Sequence, residues 1–134
     1  MYCFDTDVLS VLTKHAPPPG LIRRLGAIRP EEQCTTAINV AELLYGAAKR
    51  GGRSLQDRVR RAIAHAGPAY PFDVDAAEIY GSLRARLEGE GRRLDEPDLR
   101  IASIALARDL TFVTGNEKRF KRVPELRVEN WLAT

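Results

Sequence analysis

The chain is expected to fold as an α/β protein, a three-layer α/β/α sandwich around a mostly parallel central sheet of four to five short strands. Three observations predict this. Short apolar runs rich in β-branched and aromatic residues alternate with longer stretches of helical spacing, the pattern of a parallel sheet flanked by helices. With 134 residues and an apolar share of 44%, the chain suits one domain that buries roughly two-thirds of its unfolded surface. No internal repeat, low-complexity segment or long linker interrupts residues 1–134.

Each element has a local reason. Residues 2–5 read as a short buried strand, and a helix follows from Thr6 or Asp7 to about Lys14, capped by one of those two side chains. Ala16-Pro-Pro-Pro-Gly20 breaks the chain, and Leu21, Ile22, Leu25 and Ile28 have helical spacing before Pro30 ends it. Residues 33–37 form the second strand, and Ile38 to Lys49 the next helix, stopped by Gly51-Gly52. Leu55 to His65 is a strongly basic helix, followed by a short extended piece at residues 69–72. Asp75 is expected to cap a helix running through Ile79, Leu83 and Leu87 to about Glu90. Pro97 suits the first turn of a helix that reaches about Arg108. Leu110 to Thr114 is a strand, Glu117 to Phe120 a helical turn, and Leu126 to Glu129 a last strand.

Composition narrows the function classes. No apolar stretch approaches the ~20 residues of a membrane-spanning helix, and Asp5 and Asp7 interrupt any signal-like segment, so a cytoplasmic protein with no membrane partner is expected. Cys3 and Cys34 lie in strand-like runs and read as small buried hydrophobes. His15 and His65 stand alone, so neither a disulfide nor a zinc site is foreseen. Net charge is +3, yet the basic residues cluster at Lys49-Arg50, Arg58, Arg60-Arg61, Arg92-Arg93 and Lys118-Arg119. Any one cluster suits a solvated helix face; together they suit a polyanionic substrate.

Four polar residues carry the chemical signal. Asp5 ends the first apolar run, where a carboxylate at the end of a central strand is costly unless paired or metal-bound. Glu42 sits mid-helix with Ala41, Leu43, Leu44 and Tyr45 around it, and Asn39 shares its face at i, i+3 spacing. Asp98 opens a helix beside Asp95 and Glu96, an arrangement that serves the helix dipole and also suits a cation. Asn116 follows the strand ending at Thr114 and has the ordinary alternative of a turn residue. In an open α/β sheet, residues at the carboxyl ends of strands converge. Clustered carboxylates repel unless a cation shares them, and oxygen-only ligation points to magnesium or manganese.

In this order the motifs Phe4-Asp-Thr-Asp-Val-Leu-Ser10, Ile38-Asn-Val-Ala-Glu-Leu-Leu-Tyr-Gly-Ala47, Pro97-Asp-Leu-Arg-Ile-Ala-Ser-Ile-Ala-Leu106 and Phe112-Val-Thr-Gly-Asn-Glu-Lys-Arg-Phe120 resemble a PIN-domain ribonuclease. The closing stretch Arg122-Val-Pro-Glu-Leu-Arg-Val-Glu-Asn-Trp131 is similar to that of VapC-type toxins of toxin–antitoxin pairs. The resemblance covers essentially the whole chain. It implies a PIN-like fold and a magnesium-dependent endoribonuclease, with manganese as a substitute. Asp5, Glu42 and Asp98 fall on the family's acidic positions, and Asn116 on a fourth polar or acidic one. Asp5 and Asp98 are expected to hold the metal, Glu42 to orient or deprotonate a water, and Asn116 to position one. Position 7, commonly Asn in the family, is Asp here, and position 116 is an amide rather than a carboxylate.

The resemblance further implies products with a 5′-phosphate and a 3′-hydroxyl. It also implies a homodimer and a cognate antitoxin, forming a heterotetramer or larger complex, whose C-terminal segment brings a basic side chain to the acids. RNA contacts are expected from Arg58, Arg60 and Arg61 and from Lys118 and Arg119. No His is placed to act as a metal-free base, which disfavours a cyclising mechanism. Two other classes were weighed. Asp5-Thr6-Asp7 after a strand resembles the nucleophile loop of haloacid-dehalogenase-type phosphatases, but Val8 replaces the usual small residue and no later Lys with paired acids matches. A phospho-accepting receiver domain would need paired acids at the first strand and an isolated Asp at a middle strand, and this chain has neither.

Overall fold

The computed structural model describes residues 1–133. Five strands form one all-parallel sheet: β1 (Tyr2–Phe4), β2 (Gln33–Thr36), β3 (Ala69–Tyr70), β4 (Thr111–Val113) and β5 (Arg127–Glu129), in the order β3-β2-β1-β4-β5. The chain winds outward from β1 through β2 to β3, then returns to lay β4 on the other side of β1. That reversal opens a crevice between β1 and β4 at their carboxyl ends, where such sheets bind ligands. Register places Phe4 opposite Val113, so the residues that follow, Asp5 and Thr114, leave the sheet side by side.

Seven α-helices complete the sandwich: α1 (Thr6–Leu12), α2 (Pro19–Gly26), α3 (Ala37–Arg50), α4 (Arg53–His65), α5 (Val74–Gly89), α6 (Glu96–Ala107) and α7 (Glu117–Phe120). The period-two alternation of the strands sorts the core into two faces. Phe4 and Val113 pack against Val8, Leu9, Leu21, Leu43, Ala47 and Val59 from α1 to α4. Cys3, Cys34 and Phe112 face Ile101, Ala105 and Phe120 from α6 and α7. Both cysteines are buried and free. Helix α5 lies outside α6, joined to it through Leu83, Leu87, Leu99 and Ala102. Lying between the sheet and α5, α6 buries every residue from Asp98 to Ala105 except Arg100. This sandwiching takes a first-turn carboxylate out of water.

Several boundaries differ from expectation. Strand and helix meet without a loop at Asp5, so Asp5 itself is the N-cap of α1 and accepts from Thr6 N at 2.8 Å; Thr6 and Asp7 are already helical. Asp73, not Asp75, caps α5, accepting from Ala76 N at 3.0 Å, because the helix starts two residues earlier, at Val74. A 3₁₀ turn at Pro30–Glu32, unforeseen, leads into β2 and is closed by Glu32 accepting from Arg29 N at 3.1 Å. Among the described residues no helix is long and apolar enough to cross a membrane.

Candidate active site

The crevice at the ends of β1, β2 and β4 gathers polar side chains that are otherwise rare in this core. Asp5 is 6% exposed and fixed by hydrogen bonds to both carboxylate oxygens. Oδ1 accepts from Thr6 N at 2.8 Å and from Asn39 Nδ2 at 3.0 Å, and Oδ2 accepts from Thr114 Oγ1 at 2.7 Å. Asn39 and Thr114 are themselves fully buried. Thr36, the N-cap of α3, donates its hydroxyl to Asn39 Oδ1 at 2.7 Å and receives Asn39 N at 3.1 Å. The network reaches the surface through Thr6. Its Oγ1 accepts from Asn39 Nδ2 at 2.9 Å and donates to Glu42 Oε1 at 2.6 Å. Every buried partner in this chain is satisfied, which holds Asp5 in one orientation.

The sequence anticipated Asp5, Glu42 and Asp98 in one place, and the structure brings them together. Glu42 is exposed at the rim, one helical turn beyond Asn39. Asp98, 8% exposed, comes from the first turn of α6 and meets Arg119 of α7, with Nε 3.1 Å from Oδ2. Asn116 caps α7 beside Thr114, which accepts its backbone N–H at 3.0 Å, and its side chain is exposed. Asp7 joins the group: its Oδ2 accepts from Gly115 N at 2.8 Å, while its Oδ1 is buried with no hydrogen-bond partner. The approach is close enough that a Cβ on Gly115 would lie 2.7 Å from Asp7 Oδ2.

Electrostatics follow from this crowding. Burial pushes the Asp5 carboxyl up to about 6, against the hydrogen bond from Thr114, and the charges of Asp7 and Asp98 push in the same direction. Burial also raises Asp7, opposed chiefly by its hydrogen bond from Gly115. Asp98 is raised by burial, with Arg119 opposing and Glu42 and Asp95 adding to the rise. A carboxyl whose folded pKa exceeds its unfolded value binds more protons when folded, so stability is present at low pH and lost as pH rises through the folded pKa. The metal-free protein should therefore melt at a lower temperature as pH rises from about 5 to about 7. A melting temperature that is flat or rising over that interval in chelator would refute a raised acidic cluster.

An oxygen-rich site short of positive charge suits a hard divalent cation. Asp5 and Asp98 are the carboxylates at the crevice, and the unpartnered Asp7 Oδ1 is a further oxygen with nothing to bond. Among the described residues no three His, Cys, Asp or Glu side chains close into a protein-only cage. Magnesium tolerates that arrangement because it keeps several waters and takes one or two carboxylates, with substrate phosphate completing the shell.

The basic residues divide. Arg119 lies in the acidic site, whereas Lys118 beside it is exposed. Arg58, Arg60 and Arg61 lie on α4, which packs on α1 and α3, and the structure does not bring them to the carboxylates. Arg60 and Arg61 are exposed, but Arg58 is half-buried and donates to Ser54 Oγ at 2.9 Å. Sequence reasoning missed Thr36 and Thr114 as supports of Asp5. The signal was their position, each a hydroxyl residue closing a strand beside β1.

The comparisons with known proteins are consistent across sequence and fold. Residues 2–126 match the PIN domain family. Ribonuclease VapC2 of Rickettsia felis is 32% identical over 133 residues, covering 98% of each chain. The tRNA(fMet)-specific endonuclease VapC of Shigella flexneri is 29% identical over 130 residues, covering 97% of each chain. The crystal structure of VapBC2 from Rickettsia felis bound to a DNA fragment from their promoter contains a chain that superposes with a TM-score of 0.83. It is 29% identical and covers 97% of this chain and 98% of that one.

Proposed function

The chain belongs to the PIN domain family, within its VapC ribonucleases, and from that premise we propose that it is a metal-dependent endoribonuclease acting as the toxin of a toxin–antitoxin pair in the cytoplasm. The observation that carries this reading is the buried hydrogen-bonded chain from Thr36 through Asn39 to Asp5 and, by way of Thr6, to Glu42, with Asp98 across the crevice. The aspartate-nucleophile phosphatase is disfavoured because the family model and the full-length relatives are PIN-domain ribonucleases.

Asp5 and Asp98 would hold magnesium, or manganese in its place. The bound cation supplies Lewis acidity toward a phosphate oxygen and lowers the pKa of a water. Glu42, exposed at the rim and aligned by Thr6, takes a proton from the water that attacks phosphorus. The bond from phosphorus to the 3′ oxygen of the preceding nucleotide breaks, and that oxygen takes a proton from solvent water, leaving a 5′-phosphate and a 3′-hydroxyl. Asn116, exposed next to Thr114, offers its amide to a water or a phosphate oxygen. Purified protein free of any partner should cleave RNA with magnesium and stop on chelation. Cleavage that persists in chelator would sink the metal reading. Because one relative is named for tRNA(fMet), tRNA is the first substrate to assay.

An antitoxin partner suits a second feature. A cavity of about 450 Å³ lies between α1, α2 and α4, floored by Phe4, Leu9 and Leu25 and rimmed by Lys14, Arg58 and Arg61. An apolar segment carrying acidic residues fits that lining, and the relatives' complexes make an antitoxin the candidate. The homodimer expected from sequence rested partly on surplus apolar residues in α3. Leu43 enters the core, but Tyr45 remains 66% exposed, so an outward apolar contact is available. Light scattering showing a stable monomer would defeat the dimer.

RNA affinity should fall as salt rises, because phosphate contacts release counterions. Reversing Arg60 and Arg61 together should flatten the salt slope by about 2 if both touch phosphates. An unchanged slope would move the RNA path to Lys118 and α7.

A further inference from the structure

Arg119 is a cation that the acidic site supplies from its own chain. Among the described residues its contact with Asp98 is the only ion pair made by Asp5, Asp7, Glu42 or Asp98. Its charge also reaches Asp7, whose carboxyl it draws down. The pair is close but poorly made. Nε lies 3.1 Å from Asp98 Oδ2, yet it is buried without an aligned hydrogen bond. Such a contact neutralises charge without the directional bond that would lock it. The Asp98 side chain is 11% exposed and that of Arg119 39%, so part of the arginine reaches solvent. Its guanidinium carbon lies 5.6 Å from the ring centre of the buried Phe120.

Arg119 neutralises one oxygen of Asp98, so a divalent cation on the same carboxylate would sit beside the guanidinium, where two like charges oppose each other. We propose that Arg119 competes with the metal for Asp98 and, once displaced, binds a non-bridging phosphate oxygen of the RNA beside the scissile bond. This rests on the reading of Asp5 and Asp98 as metal-holding residues. The exchange makes Arg119 a phosphate-positioning residue that rests on Asp98 while metal is absent, and it keeps the carboxylate cluster partly neutralised in that state. An arginine that served only to tie α7 to α6 would change stability and leave the KM for RNA untouched.

The test compares wild type with Arg119→Met, which keeps an unbranched side chain and removes the charge, and Arg119→Lys, which keeps the charge. Manganese affinity is measured by calorimetry without RNA, and KM and kcat are measured on one RNA at saturating metal. Arg119→Met should bind manganese about threefold or more tightly, since its competitor is gone. Its KM for RNA should rise about tenfold, and Arg119→Lys should recover most of that loss. Unchanged or weaker manganese binding by Arg119→Met, with wild type binding normally, would overturn the competition. An unchanged KM would overturn the phosphate contact. Failure of every form to bind manganese would overturn the functional reading and this inference with it.

Discussion

Asp5→Asn is expected to abolish RNA cleavage while leaving a folded protein that, without metal, melts at a higher temperature than wild type at neutral pH. Loss of a metal-holding carboxylate removes several kcal/mol of transition-state stabilisation, so the rate should drop by about a thousandfold or more. The gain in stability has a separate source. Burial and the neighbouring acids push the Asp5 carboxyl up to about 6, so keeping it ionised at pH 7 costs on the order of 3 kcal/mol relative to the unfolded chain. An amide removes that charge. Its oxygen can still accept from Thr6 N and Asn39 Nδ2, and its nitrogen faces Thr114 Oγ1, whose hydroxyl must turn to receive it. That reorientation returns part of the gain, so a rise of a few degrees is expected. Full cleavage by pure Asp5→Asn would remove Asp5 from the chemistry. A fall in melting temperature in chelator would show that its hydrogen bonds matter more than its buried charge.

Gly67→Ala should have the largest effect on the fold, a loss of about 3–5 kcal/mol. Gly67 adopts φ +84°, a left-handed conformation that a side chain resists. A Cβ there would also lie 2.0 Å from the carbonyl oxygen of Gln33 and 2.8 Å from its carbon. Both obstacles are backbone of β2, which cannot rotate away. The strand would have to shift, and with it Thr36 and the start of α3, so activity should fall with stability. The neighbouring pairing depends on the same approach, since Thr35 N donates to Pro68 O at 3.0 Å. Denaturant unfolding that shows a loss under about 1 kcal/mol would mean the 66–68 turn has room to move. Gly51→Ala is the comparison, because it shares a positive φ of +75° but meets nothing within 4 Å. It should cost only the conformational part, about 1 kcal/mol.

Much of this molecule was legible before any coordinates. The alternation of short apolar runs with helical spacing predicted four to five strands and the order of the helices between them, because pleat and helix periods are local properties of the chain. The four polar residues of the crevice stood out in the sequence because Asp5, Asp98 and Asn116 each stand where a strand ends or a helix begins, while Glu42 is a charge amid apolar neighbours. What sequence alone left open was decided by contacts between residues far apart in the chain. Thr114 is 109 positions from Asp5 yet donates to its Oδ2, and Asn39 reaches the same carboxylate from 34 positions away. Arg119 was expected to contact RNA together with Lys118, and only the fold placed it on Asp98. Asp98 was expected at the site, with the helix dipole as its ordinary alternative, and its burial came from the layering of α5 over α6. Local periodicity determines which segments become strands and helices. Which side chains lose water and which charges meet depend on how those segments stack, and that is a property of the assembled fold.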